Sequence, residues 1–482
     1  MATEGQSRCL DAFTIALGQA REGGKKRWCA STLGLQLASL EFCRACRGVP
    51  TLHVRVQHEA PLSLWSPPQG HTGVNTGSSK KGRTSSRVPI VRVARLAWSL
   101  PVEVLVKRAG AELWAWSAVL NMRGSVEASI LQSVTWPHRL KRLSFDRSDF
   151  NQPIDRVAWP SSLQKIELGY HFNQPLTGIV WPASLQQLSF GHYFNQPITG
   201  VVWPTSLQQL SFRGLFNQPI TEVAWPASLK QLSIGRSFNQ PITGVAWPAF
   251  LKQLSFGYFF DHPIAGVLWP TSLQQLSFDN CFNQPIAEVA WPASLEQLWF
   301  GRCFNRPIAG GAWPAFLKQL SFGYFFDHPI AGVVWPTSLQ QLSFDNCFNQ
   351  PIAEVAWPAS LEQLWFGRCF NRPIAEVQWP TSLQQLSFGY LFNQSIAGVV
   401  LPASLQQIEF GCHFSQPITG VAWPASLQQL SFGHFFNQPI TGVVWPTSLQ
   451  QLALGGQFNE PIAGVVLPAS LQRIEFGYPF NQ

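Results

Sequence analysis

Several absences bound what this chain can be. Charged residues are scarce, 12% of 482 positions against 46% hydrophobic ones, an apolar share too high for disorder along the whole length. No run of 18 apolar residues occurs, so no transmembrane helix is expected. The opening MATEGQSRCLDAF lacks the basic start and long apolar core of a secretory signal, and a cytoplasmic location is expected. Cys43 and Cys46 have the spacing of a zinc-ligand pair, but no second close Cys/His pair follows, and neither metal nor cofactor is expected. Catalytic constellations are missing too. The His residues at 171, 192, 262, 328, 413 and 434 stand singly, with no nucleophile repeated beside them. Turn chemistry accounts for the pairs Asp261-His262 and Asp327-His328, because Asn-Gln fills the same slots elsewhere. The chain does not read as an enzyme.

The basic charge is confined to the first part of the chain. Residues 1–130 hold 17 Lys/Arg and 8 Asp/Glu, whereas residues 131–482 hold 16 and 17. The overall +8 therefore says nothing about the larger part. Residues 1–60 are ambiguous, with LDAFTIALGQA and STLGLQLASLEF as candidate short helices. Residues 61–88, rich in Pro, Gly and Ser with a basic SSKKGRTSSR stretch, read as a flexible linker. Residues 89–133 turn apolar again and read as degenerate repeats or an N-terminal cap. Within them RVPIVRVARLAW alternates as a strand does, and AELWAWSAVL fits strand or short helix.

What the chain has in abundance is repetition. Sixteen phenylalanines stand 22 residues apart from Phe150 to Phe480, within residues 134–482. A 22-residue unit cannot bury its own apolar side chains, so neighbouring units must complete it, and the product is a stack of coils. One unit is WPASLQQLSFGHYFNQPI, Trp181 to Ile198. Leu188 and Phe190 point inward from a short strand, with Gln187 and Ser189 outward, and Leu185 shares the interior. Gly191 ends the strand and permits a conformation closed to other residues. Phe194 returns to the core. Asn195, replaced only by Asp261, Asp327 and Ser415, bonds the backbone of a tight corner and builds an internal polar ladder. Pro197 belongs outside the sheet, Ile198 and Val201 pack the far side, and Trp203-Pro204 closes the turn. Leu401 and Leu467 stand in for Trp, so this column reads as packing and not as a stacking platform for bases or sugars. Two prolines and a glycine in most units leave little room for helices. The expected fold is a β-rich solenoid, a right-handed leucine-rich-repeat-like coil with one short parallel strand per turn.

The unit FNQPI-x-x-V-x-WP-x-SLQQLSFG closely resembles the FNIP repeat, a leucine-rich-repeat-like family abundant in social amoebae and other protists. Leu185, Leu188, Phe190, Phe194, Asn195 and Ile198 match its framework, and the resemblance covers about residues 136–482. It implies a leucine-rich-repeat-like solenoid, protein interaction by analogy, a protist source, and no catalytic residues. The chain departs in its Trp-Pro, where the family commonly has Leu-Pro, and in its uniform copies.

Positions that vary between units are the ones free to recognise a partner. In the outward Ser189 column, Trp299 and Trp365 replace serine, and exposed aromatics on a rigid face often anchor partners. The two positions before each framework Phe form a variable rim that includes Tyr193 and Tyr258. Arg302 and Arg306, with Arg368 and Arg372 in the matching units, flank the tryptophans in sequence. Residues 249–309 recur at 315–375 with one difference, Leu268 against Val334, so the two tryptophans copy one event. The leading reading is a non-catalytic scaffold that binds an unidentified protein through strand face and rim. Carbohydrate adhesion, which needs export, and nucleic-acid association through the basic first 130 residues are the alternatives, and no membrane contact is expected. The array stops mid-motif at Phe480-Asn481-Gln482: either the next protomer covers that edge, a route to self-association, or the gene product is incomplete. Cys281 and Cys303, like Cys347 and Cys369, stand one unit apart. Stacked side chains pointing the same way strain a disulfide, and reduced thiols are expected.

Overall fold

A computed structural model describes residues 53–57, 96–99, 119–124 and 128–482, apart from 479 and 482. The chain divides into two compact units, Met1–Phe194 and Asn195–Gln482. The candidate helices within residues 10–42 and the linker at 61–88 lie outside the described residues.

In the first unit, β1 (His53–Gln57) pairs antiparallel with both β2 (Leu96–Ser99) and β3 (Val119–Gly124). The segment AELWAWSAVL thus ends in a strand, and β2 covers the tail of RVPIVRVARLAW. A short helix, α1 (Ala128–Ser133), precedes β4 (Arg142–Ser148), which pairs parallel with β3 and with β5 (Lys165–Glu167). The parallel ladder continues to β6 (Gln187–Ser189). Trp136 and Trp159 are 23 residues apart instead of 22. The extra residue falls in β4, where the register with β3 shifts between Asn121 and Arg123.

The second unit carries thirteen further strands of three or four residues, from β7 (Gln209–Ser211) to β19 (Arg473–Glu475). From β7 to β19 they pair parallel in sequence order in an unshifted register, mostly Gln on Gln and Leu on Leu, as in Gln275↔Gln297 and Leu276↔Leu298. Parallel order follows from coiling, because each turn returns the chain in the same direction. The fold is a parallel β-solenoid of about 16 turns at 22-residue spacing.

Outside the strand each coil is made of tight turns. Around Phe304 they close through Val289 N–H to Ile286 (3.2 Å), Leu295 N–H to Pro292 (3.1 Å) and Phe304 N–H to Gly301 (3.3 Å). No membrane-length apolar helix occurs among the described residues.

The interior is a set of columns. Leu185, Phe190, Phe194 and Ile198 are fully buried, Leu188 and Val201 nearly so, and Pro197 is exposed as expected outside the sheet. The framework phenylalanines stack level on level: Phe304 lies 6.1 Å from Phe282 and 6.0 Å from Phe326, with Phe300 of its own coil at 4.3 Å.

Three polar or steric devices lock the coils together, and two differ from what the residues suggested. The Asn column does form a ladder, but its rungs run to the next coil and the side chains are partly exposed. Asn195 Oδ1 accepts the Asn217 N–H at 2.9 Å, and Gln218 Nε2 reaches Asn195 O and Oδ1 at 3.1 Å. Asp261 holds the same place, accepting Asn283 N–H at 2.8 Å, and at Ser415 the shorter side chain receives Gln438 Nε2 at 3.4 Å. The glycine at Gly191 is required by close approach: a Cβ there would overlap the Gly169 carbonyl, whereas its φ is not positive. Left-handed backbone belongs instead to another glycine column, such as Gly266 at φ 77°. The third device went unread in the sequence. The Ser of each W-P-x-S-L donates to a Leu carbonyl one coil back, as Ser294 Oγ does to Leu273 O at 2.7 Å.

Candidate interaction surface

The outward strand face is built from the alternate positions of each strand, so its chemistry is that of two columns. One is Gln from Gln187 to Gln451; the other is mostly Ser. At β4 and β5 of the first unit this face is charged. Arg142 and Lys165 each reach Glu167 Oε1 at 2.9 Å. Burial would raise the Glu167 pKa, but hydrogen bonds from Lys165, Arg142 and Ser144 outweigh it and hold the carboxyl down at about 2.

In the second unit the face carries the two tryptophans. Trp299 ends β11 (Gln297–Trp299) in register with Ser277 and Ser321; Trp365 ends β14 (Gln363–Trp365) in register with Ser343 and Ser387. Both indoles are half-buried, and the full exposure expected for them is not found. An indole is much larger than the flanking serines, so it covers part of its own surface by lying against the sheet.

The rim holds a second arrangement. The Arg302 guanidinium lies over the Tyr324 ring at 4.5 Å and over Phe325 at 5.4 Å. Arg368 covers Tyr390 at 4.7 Å, and Arg236 covers Tyr258 at 4.7 Å. Each cation therefore sits on an aromatic one coil further on, at three-coil intervals along the rim. Tyr193, 42% exposed, belongs to a separate cluster in the first unit, stacked on His171 at 5.3 Å and edge-on to Tyr170 at 5.2 Å. Arg306 and Arg372 have partners in the preceding coil. They fill the Gln slot of the Asn ladder, where Nε donates to Asn283 O (2.8 Å) and Asn349 O (2.7 Å). His262 and His328 fill that slot as well, 3.1 and 3.2 Å from Asn239 O and Asn305 O. Ladder duty is thus what the Asp-His pairs do here. A shallow open groove of about 470 Å³ lies on the rim, with Arg213, Arg236, Tyr258 and Asp279 among its walls.

Two features escaped the sequence reading. Phe250 and Phe316 replace the bridging serine and stand 65% and 61% exposed; the signal was present, as a departure from an otherwise constant Ser column. A column of valines beside Val201 faces outward, Val202 being 80% exposed. Its role is legible by comparison between coils. The following Trp is buried where this residue is Val, Leu or Gln (Trp203, Trp269, Trp335, Trp379, Trp445) and half-buried where it is Ala (Trp225, Trp247, Trp291, Trp313, Trp357, Trp423). Trp181 follows Val180 and precedes Pro-Ala, and it too is buried, so the preceding residue and not the one after proline sets the cover.

The FNIP Repeat profile matches residues 129–171, 172–214, 216–259, 304–347, 348–391, 392–435 and 436–479, each match taking in about two 22-residue units. No curated protein matches the chain. Among solved structures it is similar to CroV588, a circular leucine-rich-repeat protein, at 42% identity and a TM-score of 0.68 over 72% of this chain. The chain spans 51% of the length of that protein. A leucine-rich-repeat protein of Leptospira interrogans matches at 17% identity and a TM-score of 0.44, over 73% of this chain and 95% of the other. With the repeat profile matched over more than half its length, the chain belongs to the FNIP repeat family.

Proposed function

We propose that the chain is a non-catalytic scaffold that binds another protein through the strand face and adjacent rim of its second unit. The observation that carries this reading is the replacement of Ser by Trp299 and Trp365 on an outward face made mostly of Ser and Gln. Rim arginines Arg302 and Arg368 follow three residues later in sequence, stacked on Tyr324 and Tyr390. Half-buried aromatics on a rigid sheet present apolar area at small entropic cost, and Arg held on a ring keeps its outer N–H groups for a partner. A solenoid suits such a role because its surface is set by columns that vary without disturbing the core. We place the scaffold in the cytoplasm.

Affinity capture with the full chain and with W299A/W365A tests the site. Loss of partner recovery with an unchanged melting profile is the expected result. Equal recovery by both proteins would move the interface off the tryptophan face.

A further inference from the structure

Paired thiols stand on the rim of the second unit. Cys281 and Cys303 occupy the same slot on successive coils, and Cys347 and Cys369 repeat the arrangement 66 residues on, within the duplicated segment. All four are free and half-buried. The rim backbone holds them level by level: Cys281 N–H bonds to Tyr258 O at 2.8 Å and Cys303 N–H to Asn280 O at 2.6 Å, while Cys347 and Cys369 bond to Tyr324 O (2.8 Å) and Asn346 O (2.7 Å).

Stacking decides what such a pair can do. Parallel side chains on adjacent coils keep the sulfurs within the coil spacing of about 4.8 Å, near enough for one thiol of each pair to hydrogen-bond the other. A disulfide wants a Cβ–Cβ separation of about 3.8 Å, which would pull one coil toward the other across a backbone already bonded. Two metal–sulfur bonds, each roughly 2.3 Å on the zinc scale, span about 4.6 Å end to end, close to the spacing of the coils. Thiolate pairs favour soft ions. Asp261 and Asp279 act electrostatically on Cys281, and Asp327 and Asp345 on Cys347, and their negative charge favours a cation. Burial, with the neighbouring thiol and these carboxylates, pushes Cys281 and Cys347 above the ordinary thiol pKa.

We propose that each pair, Cys281/Cys303 and Cys347/Cys369, binds one soft two-coordinate cation of the copper(I) class. Binding releases both thiol protons to solvent and forms two sulfur–metal bonds, with no change of oxidation state. The duplication makes the stoichiometry two sites per chain.

The test is an anaerobic titration of the reduced full-length chain with Cu(I), using a chromogenic chelator as competitor. C281S and C347S should each bind one equivalent less than the unaltered chain, and C281S/C347S two less; taking differences cancels the contribution of cysteines elsewhere. Copper-edge X-ray absorption of the unaltered chain, loaded to two equivalents, provides a readout independent of the variants. Linear two-sulfur coordination is expected. Unchanged stoichiometry in the variants, or copper bound by nitrogen and oxygen, would overturn the assignment. So would capture of each pair as a disulfide by oxidised glutathione with no copper uptake by the reduced chain.

Discussion

Phe304 and Trp357 both belong to stacks of like rings, each about 6 Å from the ring one coil before it, yet the two columns meet different demands. The Phe column is fully buried, apolar throughout and never interrupted from Phe150 to Phe458. Indoles of the Trp column pack edge-on to the strand phenylalanines, as Trp357 does to Phe366 at 6.4 Å, and many are only half-buried. Thirteen of these indole N–H groups, Trp335 and Trp357 included, are buried without a protein acceptor. An unpaired buried N–H is a cost, so the indole is retained here for its area and flatness and not for a hydrogen bond. Leu401 and Leu467 supply apolar bulk without that cost. Position along the coil decides which aromatic is replaceable: the inner one fills the space between strand and return segment, while the corner one lies over it.

Substitutions can break this contrast or sharpen it. Phe304→Ala should have the largest effect, a loss of about 3–5 kcal/mol, because the cavity opens between rings that backbone ladders hold in place. Denaturant unfolding of the array would measure it, and a loss below that of a corner substitution would reverse the ranking of the columns. Asn349→Ala comes next. It strips the Asn371 N–H of its 2.9 Å acceptor and should cost about 1–3 kcal/mol, with faster amide exchange at Asn371 as the local sign. Trp357→Leu should cost least, within about 1 kcal/mol, because relief of the unpaired N–H offsets part of the lost area. A cost matching that of Phe304→Ala would show the indole itself to be indispensable at the corner.

Much of the fold was legible because a 22-residue period leaves few solutions. The inward set Leu185, Leu188, Phe190, Phe194, Ile198 and Val201 is buried as read, and the strand positions follow from alternation. The amide ladder was anticipated from residue type, but not its direction, since a side chain that can bond its own corner or the next coil looks the same in sequence. Gly191 was misread for a related reason: steric approach by another coil leaves no local mark, whereas positive φ does. For the surface, the Ser-to-Trp exchange was visible, while the fate of Arg306 and Arg372 was not. Proximity along the chain put them beside the tryptophans; the turn put them on carbonyls of the preceding coil.

By itself the sequence determined that the chain coils, how often, and which side chains share an interior, because periodic burial is a property of spacing. Only the tertiary structure decided which polar atoms meet across coils. It set Arg302 over Tyr324, Cys281 beside Cys303 and the Asn rung over its neighbour, since those encounters depend on register between turns that are 22 residues apart in the chain and adjacent in space.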